Sequence, residues 1–169
     1  VHMQERGCQS AAILTIDPSS TTSLSDRVNG FYRAMRETGM LCAAEWVLPR
    51  RTRNMPSATQ DEEYLARIRR FLKEQDPMPD GVIATEYALG RLLHIAAEQE
   101  GLTIGKDFKA CCIDEDELAA RGYVFTHMKQ DEKAIARAVV DLLLPMIAGQ
   151  RAHAAAVSIP AFFRQGITT

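Results

Sequence analysis

Short apolar runs alternate with amphipathic stretches along the whole chain. The run AAILTI at 11–16 predicts a buried strand. SDRVNGFYRAMRETG follows as a helix, with Val28, Phe31, Met35 and Tyr32 toward one face and Gly39 as its stop. LCAAEWVL at 41–48 predicts a second strand, along which Trp46 alternates with Cys42 and Ala44. PRRTRNMPSAT reads as a polar loop broken by Pro49 and Pro56. QDEEYLARIRRFLKEQ at 60–75 is helical, its face drawn by Tyr64, Leu65, Ile68 and Leu72. DGVIATE at 80–86 predicts a third strand, and YALGRLLHIAAEQEG at 87–101 a helix stopped by Gly101. FKACCID at 108–114 and YVFTHM at 123–128 predict two further strands, with DELAARG between them as a short helical turn. A long helix follows at 131–149, where Pro145 should kink or tighten the last turn. AAAVSIPAFF at 154–163 supplies one or two final strand segments.

This β-α-β-α order predicts an α/β fold: a three-layer α-β-α sandwich with a mostly parallel sheet. Ligands bind such sheets outside the carboxyl ends of the strands. The residues to inspect are therefore Asp17, Pro49 to Arg53, Thr85 with Glu86, and Asp114 to Asp116. Arg27 opens the helix after the first strand and shares that rim. With Ser25 or Asp26 as cap, Arg27 falls in the first turn, where the dipole disfavours a cation by about 0.3–1 kcal/mol. Gly30 costs the same helix about 1 kcal/mol relative to Ala. The rim gives both a reason. A guanidinium there grips a ligand or a rim carboxylate, with Asp114 as the partner in reach. Gly30 would let the helix pack close on its strand.

Composition narrows the classes. The 169 residues suffice for one domain, and 46% hydrophobic with 25% charged residues is ordinary for a soluble protein. A net charge of −2 supplies no global attraction to nucleic acid or membrane. The apolar run AVVDLLLPMIAG is too short and interrupted to span a bilayer, and no signal segment opens the sequence. The four cysteines lack disulfide-framework or zinc spacing. They read as buried small hydrophobes in a reducing, cytoplasmic setting, with Cys111 and Cys112 facing opposite sides of a strand.

Catalytic and cofactor patterns are weak. GLTIGKD lacks phosphate-loop spacing and follows a helix, so it reads as a stop and turn. His2, His94, His127 and His153 show no metal spacing, and the serines near residue 20 form no nucleophile elbow. Arg50, Arg51 and Arg53 read as a solvated loop, their place after the second strand keeping a ligand contact open for Arg50. Arg67, Arg69 and Arg70 share a helix with Glu62 and Glu63, an ordinary solvated face. A phosphoacceptor receiver domain needs an acidic pair after the first strand, and only Asp17 stands there. No cofactor and no enzymatic activity is expected.

Taken in order, these pieces resemble the effector-binding core of the lactose-repressor family of bacterial transcription regulators. HMQERGCQSAAIL is similar to the run that leads into the core's first strand, with Cys8 where a His is usual. SDRVNGFYRAMRETGM resembles its R-x-x-G-F-x-x-A helix. DGVIATEYALGRLLHIAAEQEGLTIGKDF resembles the strand, Asn-Asp and helix that follow, with Thr85-Glu86 replacing Asn-Asp and one residue fewer. CCIDED, FTHMKQDEKAIARAVVDLLLPMIAG and FFRQGITT match the remaining blocks.

The resemblance implies a periplasmic-binding-protein-like fold of two lobes, with a small sugar-like effector held between them. The positions it marks for ligand hydroxyls are Arg27, Thr85, Glu86 and Asp114, with Gln130 near the cleft; Asp17 and Arg50 join them from the rim argument. It further implies that 11–122 and 154–163 form mainly the second lobe. The strand and helix of 123–147 would then belong to the first lobe, most of which is not in this stretch. DNA would be bound only through a helix-turn-helix outside it, membranes not at all, and the chain would be a homodimer or otherwise self-associate. A solute-binding component of a sugar transporter shares the fold and is the alternative.

Overall fold

The computed structural model describes residues 2–19, 21–50, 57–114, 125–149 and 156–169. A short helix α1 (His2–Glu5) leads into β1 (Ala11–Ile16), α2 (Thr22–Thr38), β2 (Val47–Arg50), α3 (Ser57–Glu74), β3 (Gly81–Ala84), α4 (Tyr87–Gln99), β4 (Lys109–Ile113), β5 (Thr126–Lys129), α5 (Glu132–Ile147) and β6 (Phe162–Arg164). They build one sheet in the order β2-β1-β3-β4-β5-β6. The first five strands are parallel, and β6 runs antiparallel to β5.

Strand alternation sorts the core into two layers. Ala12, Leu14, Val82, Ala84, Ala110 and Cys112 pack under α3 and α4, against Tyr64, Ile68, Leu89 and Leu93. Ala11 and Ile13 point the other way, onto Val28, Phe31 and Met35 of α2. Cys111 and Cys112 do face opposite layers, and burial pushes both thiols up to about 12. All four cysteines are free, but only Cys8 and Cys112 are fully buried. The expectation that all four are buried fails at Cys42 and Cys111.

Several boundaries differ from the sequence pattern, each for a local reason. Helix α2 begins earlier than SDRV, because Thr21 caps it: its hydroxyl accepts the Leu24 N–H at 3.3 Å. Arg27 is therefore the sixth helical residue, beyond the first turn where the dipole acts most strongly. Gly30 does not mediate close packing either, since a Cβ there would meet no atom within 4 Å. The second strand starts only at Val47. The preceding Ala44–Trp46 forms a 3-10 turn, and buried Trp46 donates its indole N–H to Gln75 Oε1 at 2.7 Å. Pro49 and Arg50, expected in a loop, belong to β2, and a proline fits there because β2 is an edge strand. Helix α5 carries Pro145 inside it and ends two residues later. Of the stretch 154–163, the described part, 156–163, forms a strand only at its end, in β6. The turn expected at 116–122, Tyr123, Val124, His153, Arg51 and Arg53 lie outside the described residues.

β5 is hydrogen-bonded to β4 in this same sheet, whereas α5 has no buried residue. The α5 surface exposes Val139, Val140, Leu142, Leu143, Leu144, Met146 and Ile147.

The amino edge of the sheet is held by polar side chains. Asp80 Oδ2 accepts the N–H groups of Gln9 and Ser10 and the Ser10 hydroxyl, at 2.8–3.0 Å. Burial alone would raise this carboxyl. The bonds from Gln9 and Ser10 and the Lys109 charge outweigh it and hold the pKa below its ordinary value. A depressed native pKa stabilises the fold above the ordinary carboxylate range, and that gain is lost as pH falls through the native value. Urea midpoints at pH 7, 4 and 3 should show Asp80→Asn weaker than the parent at pH 7, with the gap narrowing toward pH 3. A gap constant with pH contradicts this.

Candidate ligand site

The chain-order reversal of the sheet lies between β1 and β3, where α2 leaves one face and α4 the other. At the carboxyl edge, around this switch point, four of the expected residues meet. Arg27, reaching from α2, donates one guanidinium nitrogen to the Thr85 carbonyl at 2.6 Å and another to Asp114 Oδ2 at 2.8 Å. Gln130, just beyond β5, donates its amide to Asp114 Oδ1 at 2.5 Å. The Arg27 and Asp114 side chains keep 19% and 34% of their surface, so the pair is shielded yet open to a ligand.

The backbone is bent to make this possible. Asp114 follows β4 with φ 67°, a left-handed conformation that costs a non-glycine residue roughly 1–2 kcal/mol. Its N–H donates to Met128 O at 2.9 Å, which ties the turn to β5. Unusual backbone of this kind recurs at binding sites. Thr85 N–H is bonded to Leu14 O at 2.9 Å, so the carbonyl that receives Arg27 is fixed to the sheet. Glu86 takes the N-cap position of α4 without a side-chain capping bond.

Asp17 and Arg50 form a separate group on the same edge. Asp17 N–H donates to Arg50 O, and its carboxylate accepts the N–H and hydroxyl of Ser19. The Arg50 guanidinium is turned to α3, where it pairs with Asp61 at 2.6 Å. The sequence reading missed Asp61 as this counter-ion, although an acid one turn into the following helix was visible. It also missed that Thr85 anchors Arg27 by its carbonyl. The Thr85 hydroxyl is buried and has no hydrogen-bond partner among the described residues. Glu115 and Asp116 lie outside them.

Below the polar rim, an apolar cleft of about 380 Å³ separates α2 from the sheet, lined by Phe31, Met35, Ile83, Cys111, Met128 and Phe163 among others. Gly30 opens onto it, which is why no neighbour crowds that position. Among the described residues no three His, Cys, Asp or Glu side chains group as metal ligands, and no helix is long and apolar enough to cross a membrane.

A doubly wound sheet with convergent polar groups at its switch point is the arrangement in which open α/β folds place their ligand sites. The chain belongs to the periplasmic binding protein-like domain family, which it matches over residues 1–168. Solved structures of LacI-family transcription regulators share the fold. One, a LacI-family regulatory protein from Chloroflexus aggregans, superposes with a TM-score of 0.80 at 19% identity, covering 96% of this chain and 56% of that one. The lac repressor dimer bound to operator and the anti-inducer ONPF gives 0.78 at 20% identity, covering 99% and 47%. A LacI-family regulator from Enterococcus faecium with bound ribose gives 0.78 at 18% identity, covering 99% and 59%. The chain thus spans about half the length of these structures. No curated protein sequence matches it. The expected α/β fold with a mostly parallel sheet, periplasmic-binding-protein-like, is the fold observed.

Proposed function

We propose that this chain is the effector-sensing part of a bacterial transcription regulator, and that its effector is a small polyhydroxylated metabolite such as a sugar. The observation that carries the reading is the Arg27–Asp114–Gln130 cluster on the Thr85 carbonyl. Its donors and acceptors are fixed before any ligand arrives, at the edge where such sheets bind ligands. Preorganised polar groups of this kind suit hydroxyls, which both donate and accept. A structural relative holding ribose adds support. The working cycle is a shift between two lobe arrangements: an effector preferring one of them changes the DNA affinity of a helix-turn-helix outside this chain. The protein would act in the cytoplasm. A thermal-shift screen against sugars, polyols and purines tests the reading. A polyol that raises the melting temperature supports it, and a response confined to purines or to none rejects it.

In the same reading α5 belongs to the other lobe, and its exposed apolar face is an interface. Apolar patches beyond a few hundred Å² are rarely left open on a soluble monomer. Light scattering of this chain at about 100 μM should therefore give a mass above 18.8 kDa. A clean monomer that binds no apolar dye would count against the assignment of α5.

A further inference from the structure

Among the described residues, the charges around the candidate site are not all matched. Arg27 is matched by Asp114, whose second oxygen is taken by Gln130. Arg50 is matched by Asp61, and Lys129 at the end of β5 has a partner of its own. Glu86 is different. It directly follows Thr85, whose carbonyl holds Arg27, and its side chain is half-buried. It makes no capping bond to α4, and its carboxylate has no ion pair or hydrogen bond among the described residues. The positive end of α4 favours a negative charge here without forming a bond to it. Beside it, Thr85 is 1% exposed and its hydroxyl too is without a partner among the described residues. A half-buried carboxylate that has given up part of its water and gained no partner is an acceptor in waiting.

We propose that the effector carries a protonated amine as well as hydroxyls, as an amino sugar or aminopolyol does, with the ammonium on Glu86 and the hydroxyls on Arg27 and Gln130. This rests on the polyol reading above and deepens it. A neutral sugar offers Glu86 only hydroxyl donors, and a charge-assisted bond is roughly twice as strong as a neutral one. A phosphorylated or carboxylated sugar brings a second negative charge to Glu86, and Arg27, the cation of the cluster, is already paired with Asp114.

Matched triplets decide the matter: D-glucosamine, D-glucose and D-glucuronate, and the same three in the galactose series, titrated into the chain and followed by amide NMR shifts. The amine should bind about tenfold tighter than the neutral sugar, with the uronate weakest. Glu86→Gln should bring amine and neutral sugar to within about twofold. Equal or tighter binding of the neutral sugar or the uronate overturns the inference while leaving the polyol reading intact. So does a preference for the amine that survives Glu86→Gln. If no member of either triplet moves a resonance at the site, the polyol reading falls, and this inference with it.

Discussion

Replacing Arg27 by Ala is expected to weaken effector binding by about 1.5–3 kcal/mol, roughly tenfold to a hundredfold, while the fold persists. The guanidinium links three elements: α2 carries it, the Thr85 carbonyl after β3 receives it, and Asp114 after β4 balances it. Its remaining N–H groups are the preorganised donors of the rim. Removing it deletes those donors and leaves the Asp114 carboxylate bonded to Gln130 alone. The fold should lose little, because the pair is partly solvated and such pairs contribute about 0–1 kcal/mol. Arg27→Lys should fall between parent and Ala variant, since an ammonium keeps the charge but offers three donors on one nitrogen in place of five spread over a planar fork. Isothermal titration with the compound that emerges from the thermal-shift screen measures this. Unchanged affinity in the Ala variant would reduce Arg27 to a structural residue.

Why that cluster was readable in advance, and its neighbours were not, has a physical basis. β1 was legible to the residue because AAILTI is a continuous apolar run with a polar segment on each side. The meeting of Arg27 with Asp114 follows from strand order, since the start of α2 and the turn after β4 share the carboxyl edge of a parallel sheet. The start of α2 was ambiguous because TTSLSD offers several capping side chains, and only the geometry at Thr21 selects one. The second strand starts later than the pattern predicts because LCAAEW alternates like a strand, whereas Trp46 is held in its turn by Gln75, just past the end of α3. Gly30 inside a helix pattern suggests close packing, but a Cβ there meets no atom within 4 Å. Long-range hydrogen bonds leave no local pattern, and the chain's last residues show this most clearly.

Those residues form a strap across the amino edge. Thr168 is fully buried; its hydroxyl donates to Ala110 O at 2.7 Å and accepts the Thr126 N–H at 2.9 Å. Its own carbonyl receives the Ala110 N–H at 2.9 Å. The loop after α4 clasps the strap from outside: Gly105 has φ +94°, and a Cβ there would come within 2.6 Å of Ile167 O. Thr168→Val keeps the shape and removes both hydroxyl bonds, leaving a buried N–H and a buried carbonyl short of a partner. We expect a loss of about 2–4 kcal/mol, read as a fall in the urea midpoint at constant slope. Thr169→Ala is the control. Its hydroxyl bonds to Thr126 and His2 are only part-buried, so the loss should stay near or below about 1 kcal/mol. Equal losses for the two would mean that the strap acts by covering the edge rather than through the Thr168 hydroxyl.

The strap brings the two described ends of the polypeptide together: His2 Nε2 and Thr169 Oγ1 lie 3.0 Å apart. Close ends at the surface are the geometry that tolerates circular permutation. A short linker can join them while the chain is reopened at a surface turn, and the strand order around β1 and β3 is untouched by that rerouting. Fusion partners attached at either end depart from the edge opposite Arg27 and Asp114, so a reporter can be grafted there without standing in the path of a ligand.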